Sequence, residues 1–183
     1  MKALIIIDMV NDLVSGVLAN EKYANEIIPS IQRLIENARK NSTEWLIVYS
    51  NDAHKEEDRE MKIWGKHAME GTEGAQVIES LKPIGSENEI ISPKRFYGAF
   101  DLTGLGEIFE KRGGVTEVVL VGQHTHCCVR HTAYGAFMRG YEIKVPSDAV
   151  CVFEGIDNQA ALEYLKNIYG ATITTTDTIV SNL

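Results

Sequence analysis

The sequence is poor in cysteine, in proline and in long apolar runs. Its 183 residues include three cysteines and four prolines. No apolar run approaches the roughly 20 residues that a membrane-spanning helix requires. Three is an odd number, and Cys127 and Cys128 are adjacent, which argues against a disulfide framework in a chain long enough to build a core. We therefore expect free thiols and a reducing, cytoplasmic location.

Positive charge is also scarce. The chain has 18 Lys and Arg against 26 Asp and Glu, a formal net charge of −8. An acidic surface repels polyanions, which argues against nucleic-acid or anionic-membrane partners. Apolar residues make up 44% and charged residues 24%, close to the globular average. We expect one domain over residues 1–183, acting on a small molecule.

Short apolar runs alternate with helical periods along the whole chain. The run Ala3–Ile7 is apolar throughout, which is typical of a strand buried on both faces of a parallel sheet. Five more strands are predicted, at 45–49, 89–92, 118–121, 143–145 and 171–175. Helices are predicted at 24–38, 76–81, 102–111, 128–139 and 158–169. The alternation predicts an α/β protein, three-layer α/β/α, with a mostly parallel, about six-stranded sheet.

Two prolines and one polar segment indicate where elements begin and end. Pro29 is predicted to occupy the first turn of a helix that follows a separate short turn. Pro93 is predicted to end the third strand. Residues 53–75 are polar and are predicted to form a long loop, and such loops in compact domains are usually functional.

Polar residues follow several of the predicted strands. Asp8 ends the first strand, Lys94 follows the third, and Cys128 lies beyond the fourth, near the start of a helix that favours a thiolate. The carboxyl ends of parallel strands share one edge, where ligands bind. A buried Asp8 needs a partner, which Lys94 or Cys128 supplies. A solvated lysine and an inert buried cysteine are the alternative interpretations.

A second group suggests a metal. Asp52 and His54 are two residues apart, so in extended chain their side chains project to the same side, and His67 can return over the loop to them. One carboxylate and two imidazoles suit zinc, iron or manganese. Solvated loop histidines are an alternative of equal weight.

The remaining thiols and one histidine receive lesser roles. Cys127 and Cys151 are interpreted as packing residues. His126 is close enough to Cys128 to suggest a Cys–His pair. We rank that pair below the Asp–Lys–Cys group, because neighbouring residues of a turn need not share a face.

Four motifs, in order, resemble those of the isochorismatase-like cysteine hydrolases, the superfamily of nicotinamidases and N-carbamoylsarcosine amidases. Ile5–Asp12 is similar to the first-strand motif, Lys94 with 97–100 to the lysine motif, and Gly122–Val129 to the nucleophile motif. The fourth, later stretch, Gly140-Tyr141 with Ser147-Asp148-Ala149, also fits. Each motif alone is weak, but together they span nearly the whole chain.

The resemblance implies a Rossmann-like isochorismatase fold and a hydrolase that releases ammonia through a Cys thioester. The catalytic triad would be Asp8, Lys94 and Cys128. The backbone N–H groups of His124 and Cys128 would hold the oxyanion, and a cis peptide bond would join Gln123 to His124. Members are commonly dimers or tetramers, so a homo-oligomer is expected.

Within the superfamily, the second-strand loop resembles that of nicotinamidases. The resemblance implies a divalent metal, zinc first and iron or manganese next, on Asp52, His54 and His67. It also implies a substrate pocket, which is formed by Leu13, Trp64, Tyr97 and Gln123. Leu13 stands where an aromatic residue is usual, and His126 replaces a common Asp. An N-carbamoyl substrate is therefore the second hypothesis, and a non-catalytic binding scaffold with the same fold is the third.

Overall fold

The first strand, β1 (Lys2–Ile7), lies in the middle of a parallel sheet, as its unbroken apolar run predicts. The structure is a computed structural model that describes residues 1–181. On one side β1 pairs with β2 (Trp45–Asp52), which pairs with β3 (Glu89–Lys94). On the other it pairs with β4 (Glu117–Gln123).

Three further strands complete the sheet beyond β4. They are β5 (Glu142–Pro146), the two-residue β6 (Val150–Cys151) and β7 (Thr172–Thr174). The order is β3-β2-β1-β4-β5-β7, with β6 pairing with the end of β4, and every pairing is parallel. Within the described residues 1–181 the sheet has seven strands rather than about six, because β6 is too short to stand out in the sequence.

Helices cover both faces of the sheet. They are α1 (Asn11–Val14), α2 (Glu21–Lys40), α3 (Met61–Trp64), α4 (Leu105–Lys111), α5 (Arg130–Met138), α6 (Asn158–Tyr169) and α7 (Thr176–Ser181). Successive residues of β1 face opposite layers: Ile5 packs in the cluster under α4, α5 and α6, and Leu4 in the one under α2 and α7. This confirms the three-layer α/β/α architecture. No helix of residues 1–181 is long and apolar enough to cross a membrane.

Both proline predictions were wrong. Pro29 lies inside α2, which runs unbroken for 20 residues. The cost of its missing N–H is offset because buried side chains on both sides of it, such as Ile27 and Ile31, hold the helix on the sheet. Pro93 lies inside β3, which continues to Lys94. β3 is an edge strand, where a missing backbone donor removes no ladder bond.

Other element boundaries also differ from the predicted ones. The helix predicted at 76–81 is only a 3₁₀ turn at Glu79–Leu81. The helix predicted at 128–139 begins later, because a π-type turn at Thr125–Val129 precedes α5. That turn places Cys128 just beyond the carboxyl end of β4.

A close approach between β1 and β4 requires glycine at position 122. Gly122 has φ of 104°, and a Cβ there would lie 2.1 Å from the backbone oxygen of Ile7. The two strands can therefore run side by side up to their carboxyl ends only because residue 122 has no side chain. This brings Asp8, which follows Ile7, next to the segment that carries Cys128.

Candidate active site

Asp8, Lys94 and Cys128 meet at the carboxyl edge of the sheet. Lys94 Nζ lies 2.8 Å from Asp8 Oδ2 and also pairs with Asp52 Oδ1. Cys128 Sγ and carboxylate oxygens of Asp8 and Asp52 lie within 4.8 Å of one another. Lys94 and Asp8 have no exposed side-chain surface. The structure therefore brings a thiol, a carboxylate and an ammonium group into one buried cluster.

Local backbone structure aims Asp8 at this cluster. Asp8 has φ of 54°, in the left-handed region, which turns the chain sharply at the end of β1. Its N–H donates to Ser50 O (3.1 Å), and its Oδ1 accepts the N–H of Asp52 (2.8 Å). Burial and the neighbouring Asp52 raise the pKa of Asp8 to about 6, although Lys94 opposes this. Asp8 can therefore both accept and return a proton near neutral pH.

Neighbouring groups determine the protonation state of the Cys128 thiol. Burial works to lower the pKa of Lys94, but Asp52 and Asp8 outweigh it and the pKa is raised well above its usual value. A hydrogen bond with Cys127, and then burial, raise the pKa of Cys128 well above its usual value. Cys128 therefore rests as a thiol beside an ionised base, and the ammonium of Lys94 favours the thiolate that forms on proton transfer.

A second group of ligand atoms adjoins the first. Asp52, His54, Glu60 and His67 are buried and offer one ligand atom each within 4.8 Å of one another. Nε2 of His54 lies 3.5 Å from Asp52 Oδ2 and 3.6 Å from Glu60 Oε2. The structure brings the three predicted ligands together and adds Glu60, which no pattern in the sequence distinguishes from the other acidic residues of the 53–75 loop.

Both histidines of this group present the same ring nitrogen to it. Nδ1 of His54 contacts Asp58 Oδ2 (3.2 Å), and Nδ1 of His67 contacts the backbone oxygen of Gly65 (2.8 Å). Each ring therefore turns Nε2 inward, and Nε2 of His54 is buried without a hydrogen-bond partner among residues 1–181. An orphaned buried imidazole nitrogen facing two carboxylates and a second imidazole fits a divalent metal.

A small cavity joins the two groups. Three predicted pocket residues, Leu13, Trp64 and Tyr97, line it. The other lining residues are Leu18, Asp52, Glu60, His67, His124, Cys127, Cys128 and Phe153.

Stacked rings form one wall of the cavity. The His124 ring stacks on Phe153 with centroids 3.7 Å apart, and Phe153 lies 5.6 Å from Trp64. Trp64 Nε1 donates to the Tyr97 hydroxyl (3.2 Å), which fixes the indole. Phe153 was missed in the sequence, because nothing in it places the loop after β6 against this pocket. These flat walls suit a planar ligand.

The pocket prediction was wrong for Gln123. Its side chain has no exposed surface and donates to the backbone oxygens of Asp8 (3.1 Å) and Leu13 (3.0 Å). These bonds turn it away from the cavity. Cys127, interpreted as a packing residue, lines the cavity instead. Cys151 is buried outside it, and burial raises its pKa to about 12.

The expected cis peptide bond is present. Gln123 and His124 are joined by a cis bond at the end of β4. It lies between the strand and the turn that carries Cys128. His124 is buried, and burial lowers the pKa of its imidazole to about 3. The ring is therefore neutral at neutral pH.

The isochorismatase domain model matches residues 2–178 of the chain. The chain belongs to the isochorismatase family. Among solved structures it is similar to the N-carbamoylsarcosine amidase of Thermoplasma acidophilum (36% identical, TM-score 0.87, covering 96% of each chain). It is also similar to a nicotinamidase of Bacillus subtilis (31% identical, TM-score 0.88), with 94% of this chain and 98% of the other covered. These matches confirm the predicted family, fold and hydrolase class.

One more relative bears on the metal. A pyrazinamidase of Pyrococcus horikoshii, crystallised in complex with zinc, is 29% identical with a TM-score of 0.83, over 95% of this chain and 98% of that one. A family member of the same fold therefore binds zinc. Because the relatives include both amidase types, they leave the substrate of this chain a prediction.

Proposed function

We propose that the chain is a cysteine amidohydrolase that cleaves a small carboxamide and releases ammonia, with nicotinamide as the leading substrate. The observation that carries this is the position of Asp52. Its Oδ1 pairs with Lys94, and its Oδ2 faces His54 and His67. The nucleophile cluster and the metal-type group are thus two halves of one cavity.

The reaction follows from the cluster. Asp8 takes the thiol proton as Cys128 Sγ attacks the carboxamide carbon, and Lys94 stabilises the negative charge. The oxyanion accepts hydrogen bonds from the backbone N–H groups of His124 and Cys128. The C–N bond breaks, and Asp8 passes its proton to the leaving nitrogen, which departs as ammonia. Water then attacks the thioester while Asp8 takes its proton, which releases the acid and restores Cys128.

The metal-type group would hold and orient the substrate. Asp52, His54, Glu60 and His67 would bind the ion, with zinc the first choice for such ligands. A bound ion supplies a Lewis acid that can accept a ring nitrogen or another lone pair of the substrate. The rings of Trp64 and Phe153 then flank a planar substrate and exclude water.

The second candidate is an N-carbamoyl amidase, favoured by the similarity to the N-carbamoylsarcosine amidase. N-carbamoylsarcosine carries a carboxylate that needs a cationic partner. Within residues 1–181 the cavity is lined by two carboxylates, and no Arg or Lys is among its lining residues. This charge pattern favours an uncharged amide. A homo-oligomeric state and a cytoplasmic location stay predictions.

Ammonia release from nicotinamide and from N-carbamoylsarcosine tests the proposal. We expect release from nicotinamide, its loss in Cys128→Ala, and near wild-type release in Cys151→Ala, a buried thiol outside the cavity. Release from the carbamoyl compound alone would reverse the order of the two substrates.

The non-catalytic scaffold must also be tested, because one relative is a probable inactive nicotinamidase of Arabidopsis thaliana. It is 28% identical over 177 residues, which cover 91% of this chain and 88% of the relative. No release from either amide, with Cys128 inert to iodoacetamide, would favour that scaffold.

A further inference from the structure

Asp58 lies directly behind the metal-type group, outside its four ligand residues. It follows His54 by four residues in the loop between β2 and α3. Its carboxylate is buried, with 6% of the side chain exposed, and Oδ2 lies 3.2 Å from Nδ1 of His54. The same oxygen accepts the backbone N–H of Lys55 (2.9 Å). Asp58 is therefore held on the side of the His54 ring that faces away from the cavity.

Arg95 holds Asp58 from the other direction. Arg95 Nε donates to Asp58 Oδ1 (3.0 Å), and Nη2 pairs with the same oxygen. Arg95 follows Lys94 at the end of β3, so adjacent residues anchor the two halves of the site. Nη2 of Arg95 also pairs with Glu57 Oε1 (3.1 Å), but Glu57 is 71% exposed. Of the two carboxylates on Arg95, Asp58 is the one that contacts a histidine of the site.

This arrangement has a defined chemical effect. A carboxylate that accepts a hydrogen bond from Nδ1–H of an imidazole fixes the ring in the tautomer whose Nε2 lone pair is free. It also makes that lone pair more basic. In the part of the chain that the structure describes, Nε2 of His54 is buried among the ligands without a hydrogen-bond partner. We infer that Asp58, clamped by Arg95, is a positioning residue that fixes the orientation and tautomer of His54 for metal binding.

The inference rests on the metal site of the proposed function. Its test is zinc affinity at neutral pH, measured by competition with a chromophoric chelator on protein first stripped of metal. Asp58→Ala is expected to weaken zinc binding about 10–100-fold, the usual effect of losing such a partner. Asp58→Asn keeps the size and an acceptor but loses the charge, so a smaller loss is expected.

Glu57→Gln is the matched control, because it removes the other carboxylate on Arg95 without touching His54. We expect its zinc affinity to stay within about twofold of wild type. The iodoacetamide rate of Cys128 should also stay within about twofold in all three variants. A ¹⁵N histidine spectrum of the metal-free protein should show His54 as the Nδ1–H tautomer in wild type and as a mixture in Asp58→Ala.

The outcomes separate this inference from the proposed function. Wild-type zinc affinity in both Asp58 variants, or an equal loss in Glu57→Gln, overturns the positioning role while leaving the metal site intact. A wild-type protein that binds no zinc overturns the metal site and this inference with it. An unchanged His54 tautomer in Asp58→Ala also contradicts the inference, because mere loop stabilisation would leave the tautomer as it is.

Discussion

Lys94 is the position where the structure makes its sharpest prediction about stability. Its ammonium has no exposed surface and pairs with two carboxylates, Asp8 and Asp52, that are themselves buried. Lys94→Met keeps the length of the stem and removes the charge. Two carboxylates are then left within a few ångströms of each other without their shared counter-ion.

The expected cost follows from that geometry. Removing one partner from a buried ion pair costs about 3–5 kcal/mol, because the remaining charge stays buried and unpaired. For a chain of this size that lowers the midpoint of thermal unfolding by about 6–20 °C. Lys82→Met is the control, since Lys82 pairs with Glu79 (3.1 Å) and the two side chains are 61% and 87% exposed. A pair of that kind is worth about 1 kcal/mol or less.

The pKa of Asp8 determines how the stability deficit of Lys94→Met changes with pH. In wild type the pKa of Asp8 is already raised to about 6, and Lys94 opposes the rise. Without Lys94 the folded-state pKa of Asp8 must lie higher still, above its value in the unfolded chain. A carboxyl group whose pKa is higher in the folded than in the unfolded chain contributes stability below its unfolded pKa. That contribution is lost as pH rises through the folded pKa. The deficit of Lys94→Met should therefore be largest at pH 7–8 and shrink towards pH 5.

The stability deficit of Lys94→Met is measured by urea unfolding, followed by circular dichroism, at pH 5 and 7.5. EDTA is present so that no bound metal compensates the charge of Asp52. The double variant Lys94→Met/Asp8→Asn should recover part of the loss, because one buried charge is removed. The reasoning is refuted if Lys94→Met costs no more than Lys82→Met, or if its deficit grows as pH falls.

Three other changes have equally definite outcomes. Glu60→Ala should weaken zinc binding in the chelator competition at least tenfold, because a ligand is lost; wild-type affinity would remove Glu60 from the site. Trp64→Leu should raise KM about 3- to 10-fold for an aromatic amide and less for an aliphatic one, because stacking is lost; equal effects would contradict the ring slot. Glu89→Gln should cost about 1.5–3 kcal/mol at pH 7, because Oε1 accepts from Arg39 and Oε2 from three backbone N–H groups. Despite burial, Arg39 lowers the pKa of Glu89, so its stabilisation is present above its unfolded pKa and lost as pH falls through the lower folded value. A deficit in urea unfolding that does not shrink as pH falls from 7 to 3 would refute this.

Periodicity in the sequence was a sound guide to element type and a weaker guide to element ends. The helix predicted at 158–169 has the bounds of α6, where Asp157 accepts the N–H of Ala160 and Gly170 ends the helix in a left-handed conformation. Both ends of that helix carry local signals. Pro29 and Pro93 misled because their tolerance depends on neighbours: a packed apolar stripe for one and a free sheet edge for the other.

The residues of the site also differ in how well the sequence predicts their positions. Asp8, Lys94 and Cys128 stand out because each follows a strand and belongs to a motif, so local sequence carries the signal. Gln123 belongs to the same motif, yet its side chain bonds to the backbone of a distant loop. Whether a residue beside the nucleophile faces the cavity or the core depends on those long-range bonds, and no spacing rule reports them.

The sequence by itself determined the architecture, the family motifs and the chemical types at the sheet edge, because apolar periodicity and strand ends are local properties of the chain. Only the tertiary structure decided which side chains share the cavity. Glu60 and Phe153 enter it from segments that resemble ordinary loop, and Asp52 joins the two halves through opposite oxygens of one carboxylate. Those positions depend on how the loops fold back over the sheet, which is set by packing and hydrogen bonds between residues far apart in the chain.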